Sequence, residues 1–155
     1  MPIPDFVVEL RKAVGQAELW MPGVTAVVRR GDEILLVRRA DNDEWAPITG
    51  ILEPGEEPAV GAAREALEET RVTVSVDRLA SITSGLRVTH ANGDRAIYLD
   101  HCFSCTWLAG EARVGDDESV DVRWCPVAEL PPMGRWMTEQ VEAALSDEVA
   151  ARFVL

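Results

Sequence analysis

Residues Gly50–Val72 read GILEPGEEPAVGAAREALEETRV. Pro58 stands where a helix begins, at the one position that tolerates its missing N–H. Strong helix formers then fill Ala59–Thr70, so the spacing predicts a helix there. Gly50–Glu57, with two glycines and a proline, reads as a tight acidic loop leading into it. On a wheel of about 100° per residue with Glu65 at zero, Glu69 falls at about +40° and Glu68 at about −60°. Three carboxylates thus share one arc. Val60, Ala63 and Leu67 fall on the opposite side, which predicts a core face there and a separate acid face. Gly61 lies in the acid arc one turn before Glu65 and leaves room for something to approach. Like charges on one helix face repel, and Arg64 offsets Glu68 through its i,i+4 relation. The remaining charge calls for a divalent cation or for solvent. Oxygen ligands at this density suit Mg²⁺ or Mn²⁺, and a solvated acidic face is the plain alternative.

Outward from this segment, two Val-, Ile- and Leu-rich runs, Val24–Arg30 and Glu33–Arg39, read as strands joined by a turn at Arg30-Gly31-Asp32. Ala40–Thr49 reads as loop. Beyond the helix, Val72–Val76, Ala80–Val88, Ala96–Leu108 and Val120–Trp124 are strand-like, and Val127–Leu130 is a turn of helix. Gly115–Glu118 is an acidic loop. An N-terminal helix is expected over 4–17, with Asp5 as cap and Phe6, Leu10, Ala13, Val14 and Ala17 at helical spacing. A C-terminal helix is expected over 134–153, with a break near Ser146-Asp147. Strands mixed with helices at both ends and in the middle predict an α/β protein, one sheet covered on two faces.

The chain has 155 residues, 47% hydrophobic and 27% charged, which fits one globular domain over 1–155. Its formal net charge of −12 repels phosphates and argues against a duplex nucleic-acid partner. No apolar run is long enough to span a membrane, and MPIPDFVVELRK lacks the pattern of a signal peptide. Three cysteines, Cys102, Cys105 and Cys125, read as reduced thiols in a cytoplasmic protein.

The spacing within Gly50–Val72 resembles the box of the Nudix hydrolases (MutT-like), G-x5-E-x7-R-E-U-x-E-E-x-G-U, where U is a bulky aliphatic residue. The matching positions are Gly50, Glu56, Arg64, Glu65, Glu68, Glu69 and Val72. Ala66 stands in place of a bulky aliphatic residue, Arg71 in place of the glycine that ends the helix, and Thr49 where many relatives have a further glycine. A looser resemblance runs from about Val24 to Leu130. It implies the Nudix fold, a mixed β-sheet sandwiched between helices (α/β/α). It also implies a metal-dependent pyrophosphohydrolase in which water attacks phosphorus in a nucleoside diphosphate linked to a group X. Divalent ions between carboxylates and phosphates would reconcile a −12 protein with an anionic substrate.

Carried over by position, Glu68 and Glu69 are implied as metal ligands and Glu65 as ligand or base. Glu56 and the Gly50 carbonyl are implied at the metal as well, and Arg64 is implied to orient the glutamates. A loop acid after the box, here Glu118, is implied as ligand or base. Arg38, Arg39 and Arg87 are candidate phosphate or base contacts, and Trp45 is a candidate for stacking on a base. Cys102-x2-Cys105 with His101 and Cys125 invites a zinc reading, but strand positions three apart face opposite sides, so buried thiols are the expectation. Val88 stands where ADP-ribose enzymes often have a proline, and the Trp-Pro-rich motif of the NADH subgroup is absent, as is a tyrosine close after the box. A nucleoside triphosphate or a small nucleotide conjugate remains as substrate. The resemblance allows a homodimer with the N-terminal helix as contact. A reading from another class is a non-catalytic Nudix-fold module that senses a nucleotide or engages a protein.

Overall fold

A computed structural model of the chain describes residues 3–155. Helix α1 spans Asp5–Val14, strands β1 Leu19–Arg30, β2 Glu33–Arg39, β3 Trp45–Ala46 and β4 Ile48–Ile51, and helix α2 Pro58–Thr70. Strands β5 Thr73–Thr89, β6 Arg95–Ala109 and β7 Ser119–Pro126 follow, then a 3₁₀ turn at Val127–Glu129 and helix α3 Arg135–Leu145.

The strands form one sheet ordered β3-β2-β1-β6-β5, with β4 also paired to β1 and β7 to β2. β1 and β6 run parallel from Leu19↔Ala96 to Arg29↔Thr106, and the other pairs are antiparallel, so the sheet is mixed. Strand alternation divides the core between its two faces. Val24, Ala26, Val28, Leu35, Val37 and Ile48 pack beneath α2 with Ala62 and Ala66. Val27, Ile34, Leu36, Ala80 and Cys102 pack on the opposite face with Val141, Ala143 and Ala144 of α3. The expected α/β/α sandwich is what the chain forms.

Several elements differ from the sequence expectation. The stretch read as a loop over 40–49 carries β3 and the start of β4, so Gly50 lies inside a strand opposite Val24 rather than in a loop. The two strands expected over 72–88 are one long strand, and its register shifts at Val76/Arg78 and Leu79/Ser81 absorb the interruption. α1 ends at Val14 because Gly15 turns with φ +59°, and its N-cap is Pro4, without a side-chain cap bond. α3 ends at Leu145, not 153. The Arg78 guanidinium donates to the carbonyls of Ala143, Ala144 and Ser146 at 3.1, 3.2 and 3.0 Å and satisfies the end of the helix. The chain beyond then returns to β5, where Arg152 N–H donates to Ala80 and Ile82 N–H to Arg152.

Candidate active site

α2 does not turn the predicted face to the sheet. Its buried residues are Gly61, Ala62, Glu65, Ala66, Glu69 and Thr70, whereas Val60 is 59% and Leu67 48% exposed. Small residues let the helix backbone lie close to the sheet, and the same face carries two carboxyls inward. Gly50 makes room for one of them: a Cβ there would lie 2.0 Å from Glu65 Cδ. Gly61 admits Leu52 and Glu56 in the same way, since a Cβ there would meet Leu52 at 2.3 Å and Glu56 Oε2 at 3.1 Å.

Arg64 gathers three of the four box glutamates. Its Nε and Nη2 donate to both Glu56 oxygens at 2.8 Å, and its Nη1 donates to Glu65 at 2.9 Å and to Glu68 at 3.0 Å. Nη2 also reaches the Ile51 carbonyl at 3.2 Å, which fixes the guanidinium to β4. This grip holds the Glu56 carboxyl below its usual range. Burial has the larger effect on Glu65, whose carboxyl is pushed up to about 7 against the pull of Arg64. Glu69, 3% exposed, is pushed well above the usual range by burial, then by the charges of Glu118, Glu65 and Asp116, with Arg39 opposing. Glu65 Oε2 and Glu69 Oε1 are buried without a hydrogen-bond partner.

The acidic loop packs on the last turn of α2. Arg113 N–H donates to the Thr70 carbonyl at 3.1 Å and Gly115 N–H to Glu69 at 2.8 Å, and the Glu118 carbonyl accepts from Ala40 N–H at 2.8 Å. Glu118 thereby stands within electrostatic reach of Glu69 and Arg39, and its own carboxyl is raised chiefly by burial. Of the three candidate arginines, Arg39 is the one facing these acids, and Asp41 braces it with two hydrogen bonds at 2.9 and 2.6 Å. Strand alternation marks it, since Leu35, Val37 and Arg39 share a face. Arg38 instead pairs with Asp43 at 3.0 Å, and Arg87 with Glu18 at 3.0 and 3.1 Å. The Trp45 ring is covered by Arg123, 4.9 Å from its centroid. It borders a groove of about 380 Å³ with Glu44, Pro132 and Met133.

The sequence reading passed over Asp100, a buried acid on β6 that accepts from the Thr25 hydroxyl at 3.1 and 3.0 Å and is pushed up to about 7 by burial. Its signal is an acid in a largely apolar strand. The three thiols are free and buried, and burial raises all of them. Among the described residues no three His, Cys, Asp or Glu side chains stand as a ready-made metal cage, at the thiols or at the glutamates. The donor chemistry at α2 nevertheless fits a hard divalent cation: Glu65 and Glu69 each bury a carboxylate oxygen without a hydrogen-bond partner, and Glu65 lies against Gly50.

The model of the NUDIX domain matches residues 19–145. The chain belongs to the Nudix family. A MutT-like protein of Streptomyces ambofaciens is 38% identical over 98 residues, which is 63% of this Nudix chain and 58% of that protein. The NAD-capped RNA hydrolase NudC of Pseudomonas putida is 31% identical over 118 residues, 72% of this chain and 38% of its own length. The chain therefore spans less than two thirds of either relative. A solved NUDIX hydrolase from Nitrosomonas europaea aligns with a TM-score of 0.64 at 26% identity, covering 79% of this chain and 86% of that one.

Proposed function

We propose that this Nudix protein is a metal-dependent pyrophosphohydrolase that cleaves a nucleoside diphosphate linked to another moiety. The observation that carries the reading is the pair of buried, unpartnered carboxylate oxygens on Glu65 and Glu69. Acids kept uncompensated in a core are costly unless a cation or substrate completes them. Glu65, Glu68 and Glu69, with Glu56 and the Gly50 carbonyl, would hold Mg²⁺ or Mn²⁺. The metal, when bound, would neutralise the diphosphate oxygens and activate water.

The chain's own groups would do the rest. Arg64 holds Glu56, Glu65 and Glu68 in register and touches no substrate. Arg39 offers its guanidinium to a phosphate. Glu65, whose buried Oε2 has no hydrogen-bond partner, is one candidate for the proton acceptor. Glu118 is the second candidate for that role. As the water oxygen bonds to phosphorus and the P–O anhydride bond breaks, the water proton passes to this carboxylate. Trp45 packs with the core beneath α3, Arg38 pairs with Asp43 and Arg87 with Glu18, so this reading gives none of the three a substrate contact.

The NudC relatives are named for NAD-capped RNA, so an NAD⁺ arm joins the nucleoside triphosphates in the screen, although the Trp-Pro-rich motif of the NADH subgroup is absent here. The test is a chromatographic screen for nucleoside monophosphate and pyrophosphate release from nucleotides, NAD⁺ and ADP-ribose with Mg²⁺ and Mn²⁺. Release by the wild type and not by Glu68→Gln supports the reading. Equal inactivity of both across the panel overturns it in favour of a non-catalytic nucleotide sensor or interaction module, a reading helped by Arg64 already pairing with three of the glutamates. Among the described residues no helix is long and apolar enough to cross a membrane. A cytoplasmic setting rests on the three free thiols. A homodimer through α1 rests on its exposed Leu10 and Val14, and light scattering decides it.

A further inference from the structure

Arg71 occupies the place of the box glycine and adopts the conformation a glycine would take there. Its φ of 61° and ψ of 21° are left-handed, and its N–H donates to the Leu67 carbonyl at 3.0 Å to close α2. A glycine would make this cap without steric cost, so capping does not account for the arginine. The side chain does something a glycine cannot: its guanidinium donates to the Gly115 carbonyl in the acidic loop. That loop lies directly on the last turn of α2. A Cβ at Gly115 would be 2.0 Å from the Glu68 carbonyl oxygen, and one at Gly110 would be 2.4 Å from that of Arg71. The amides of Arg113 and Gly115 already bind Thr70 and Glu69. Arg71 adds a third tie from the other partner, across the segment that leads to Glu118.

We infer that Arg71 is a positioning residue that clamps the loop 110–118 onto the end of α2 and so holds Glu118 beside Glu69. This inference rests on the catalytic reading above only for its kinetic consequence. The clamp itself is a property of the chain and is measurable without metal or substrate.

Three variants separate the clamp from backbone strain. Arg71→Ala keeps the left-handed side-chain strain and removes the tie. Arg71→Lys keeps the strain and a donor. Arg71→Gly removes both. Amide hydrogen exchange of the metal-free protein is expected to quicken at Arg113 and Gly115 in the Ala and Gly variants and to stay near wild type in the Lys variant. In the same two variants kcat is expected to fall about tenfold, as small displacements of a reacting group cause, with KM nearly unchanged. Lys restores most of the rate. Arg71→Gly, relieved of strain, is expected to stay slow while unfolding at no lower temperature than Arg71→Ala, so lost stability cannot explain the lost rate. Wild-type exchange at Arg113 and Gly115 in the Ala and Gly variants would overturn the clamp, and undiminished kcat in both would overturn its hold on Glu118. If the wild type hydrolyses nothing, the catalytic reading falls, and the exchange result alone still decides whether Arg71 holds the loop.

Discussion

Glu69 is a carboxyl that the fold leaves uncompensated: nearly inaccessible, with Glu65, Glu118 and Asp116 adding to its cost and only Arg39 opposing them. Glu65 differs in one respect, because Arg64 satisfies one of its oxygens. At neutral pH and without metal, burial therefore weighs most on Glu69. Replacing it with Gln removes the charge and keeps the shape. Glu69→Gln is expected to raise the unfolding temperature of the metal-free protein above pH 7. It should also lower the rate of any hydrolysis by about 10²–10³, the loss typical of removing one well-placed electrostatic group. Thermal unfolding and kinetics on one preparation check both. A destabilised Glu69→Gln would mean that the carboxylate has a compensating partner in the fold. Arg64→Ala is predicted to act the opposite way on stability, because it strips Glu56, Glu65 and Glu68 of a shared counter-charge.

At the scale of the element, α2 shows where sequence reading succeeds and where it stops. The helix itself was legible: Pro58 opens it and alanines and glutamates sustain it, and the observed Pro58–Thr70 differs by one residue from the expectation. Its orientation was not. A hydrophobicity wheel weights Val60 and Leu67 over alanine, yet the helix is set by contact distance, and only Gly61, Ala62 and Ala66 let it lie against Leu52 and the sheet. Spacing singled out these acids while the wheel turned them outward, because buried acids invert the usual pattern of charge outside and apolar inside. Likewise the left-handed Arg71 is visible only in the backbone angles. Two outcomes distinguish the orientations. Gly50→Ala drives a Cβ into the Glu65 carboxyl and is expected to cost about 1–3 kcal/mol by overpacking and to displace that carboxyl. Val60→Thr and Leu67→Gln lie on the outward side and are each expected to change stability by less than about 0.5 kcal/mol. Denaturant unfolding that reverses this ranking would restore the wheel's face to the core.

For the whole molecule, the balance of raised and lowered carboxyls fixes how stability follows pH. Glu65 and Asp100, both pushed up to about 7, and Glu69 and Glu118, also raised, hold their protons longer in the folded chain than in the unfolded one. The stability they contribute is present below the ordinary carboxyl range and is lost as pH climbs through about 7. Glu56 and Asp41, lowered by Arg64 and Arg39, work in the other direction, and their contribution disappears as pH falls below the ordinary carboxylate range. The metal-free protein should therefore be most stable in mildly acidic solution and lose stability towards pH 8. Mg²⁺ or Mn²⁺ should reverse that loss, because a divalent cation binds ionised carboxylates and competes with protons for them. At a hundredfold excess over Kd the gain is about 2.7 kcal/mol, or roughly 5–10 °C for a domain of this size. It should be large at pH 8 and small at pH 5.5. Asp100 is bound to Thr25 and is not among the proposed ligands, so its share of the slope should persist with metal present and vanish in Asp100→Asn. Thermal scans across pH with and without metal test the whole scheme. A metal effect that is absent at pH 8, or equal at both pH values, would mean that the carboxylates on α2 do not bind the cation.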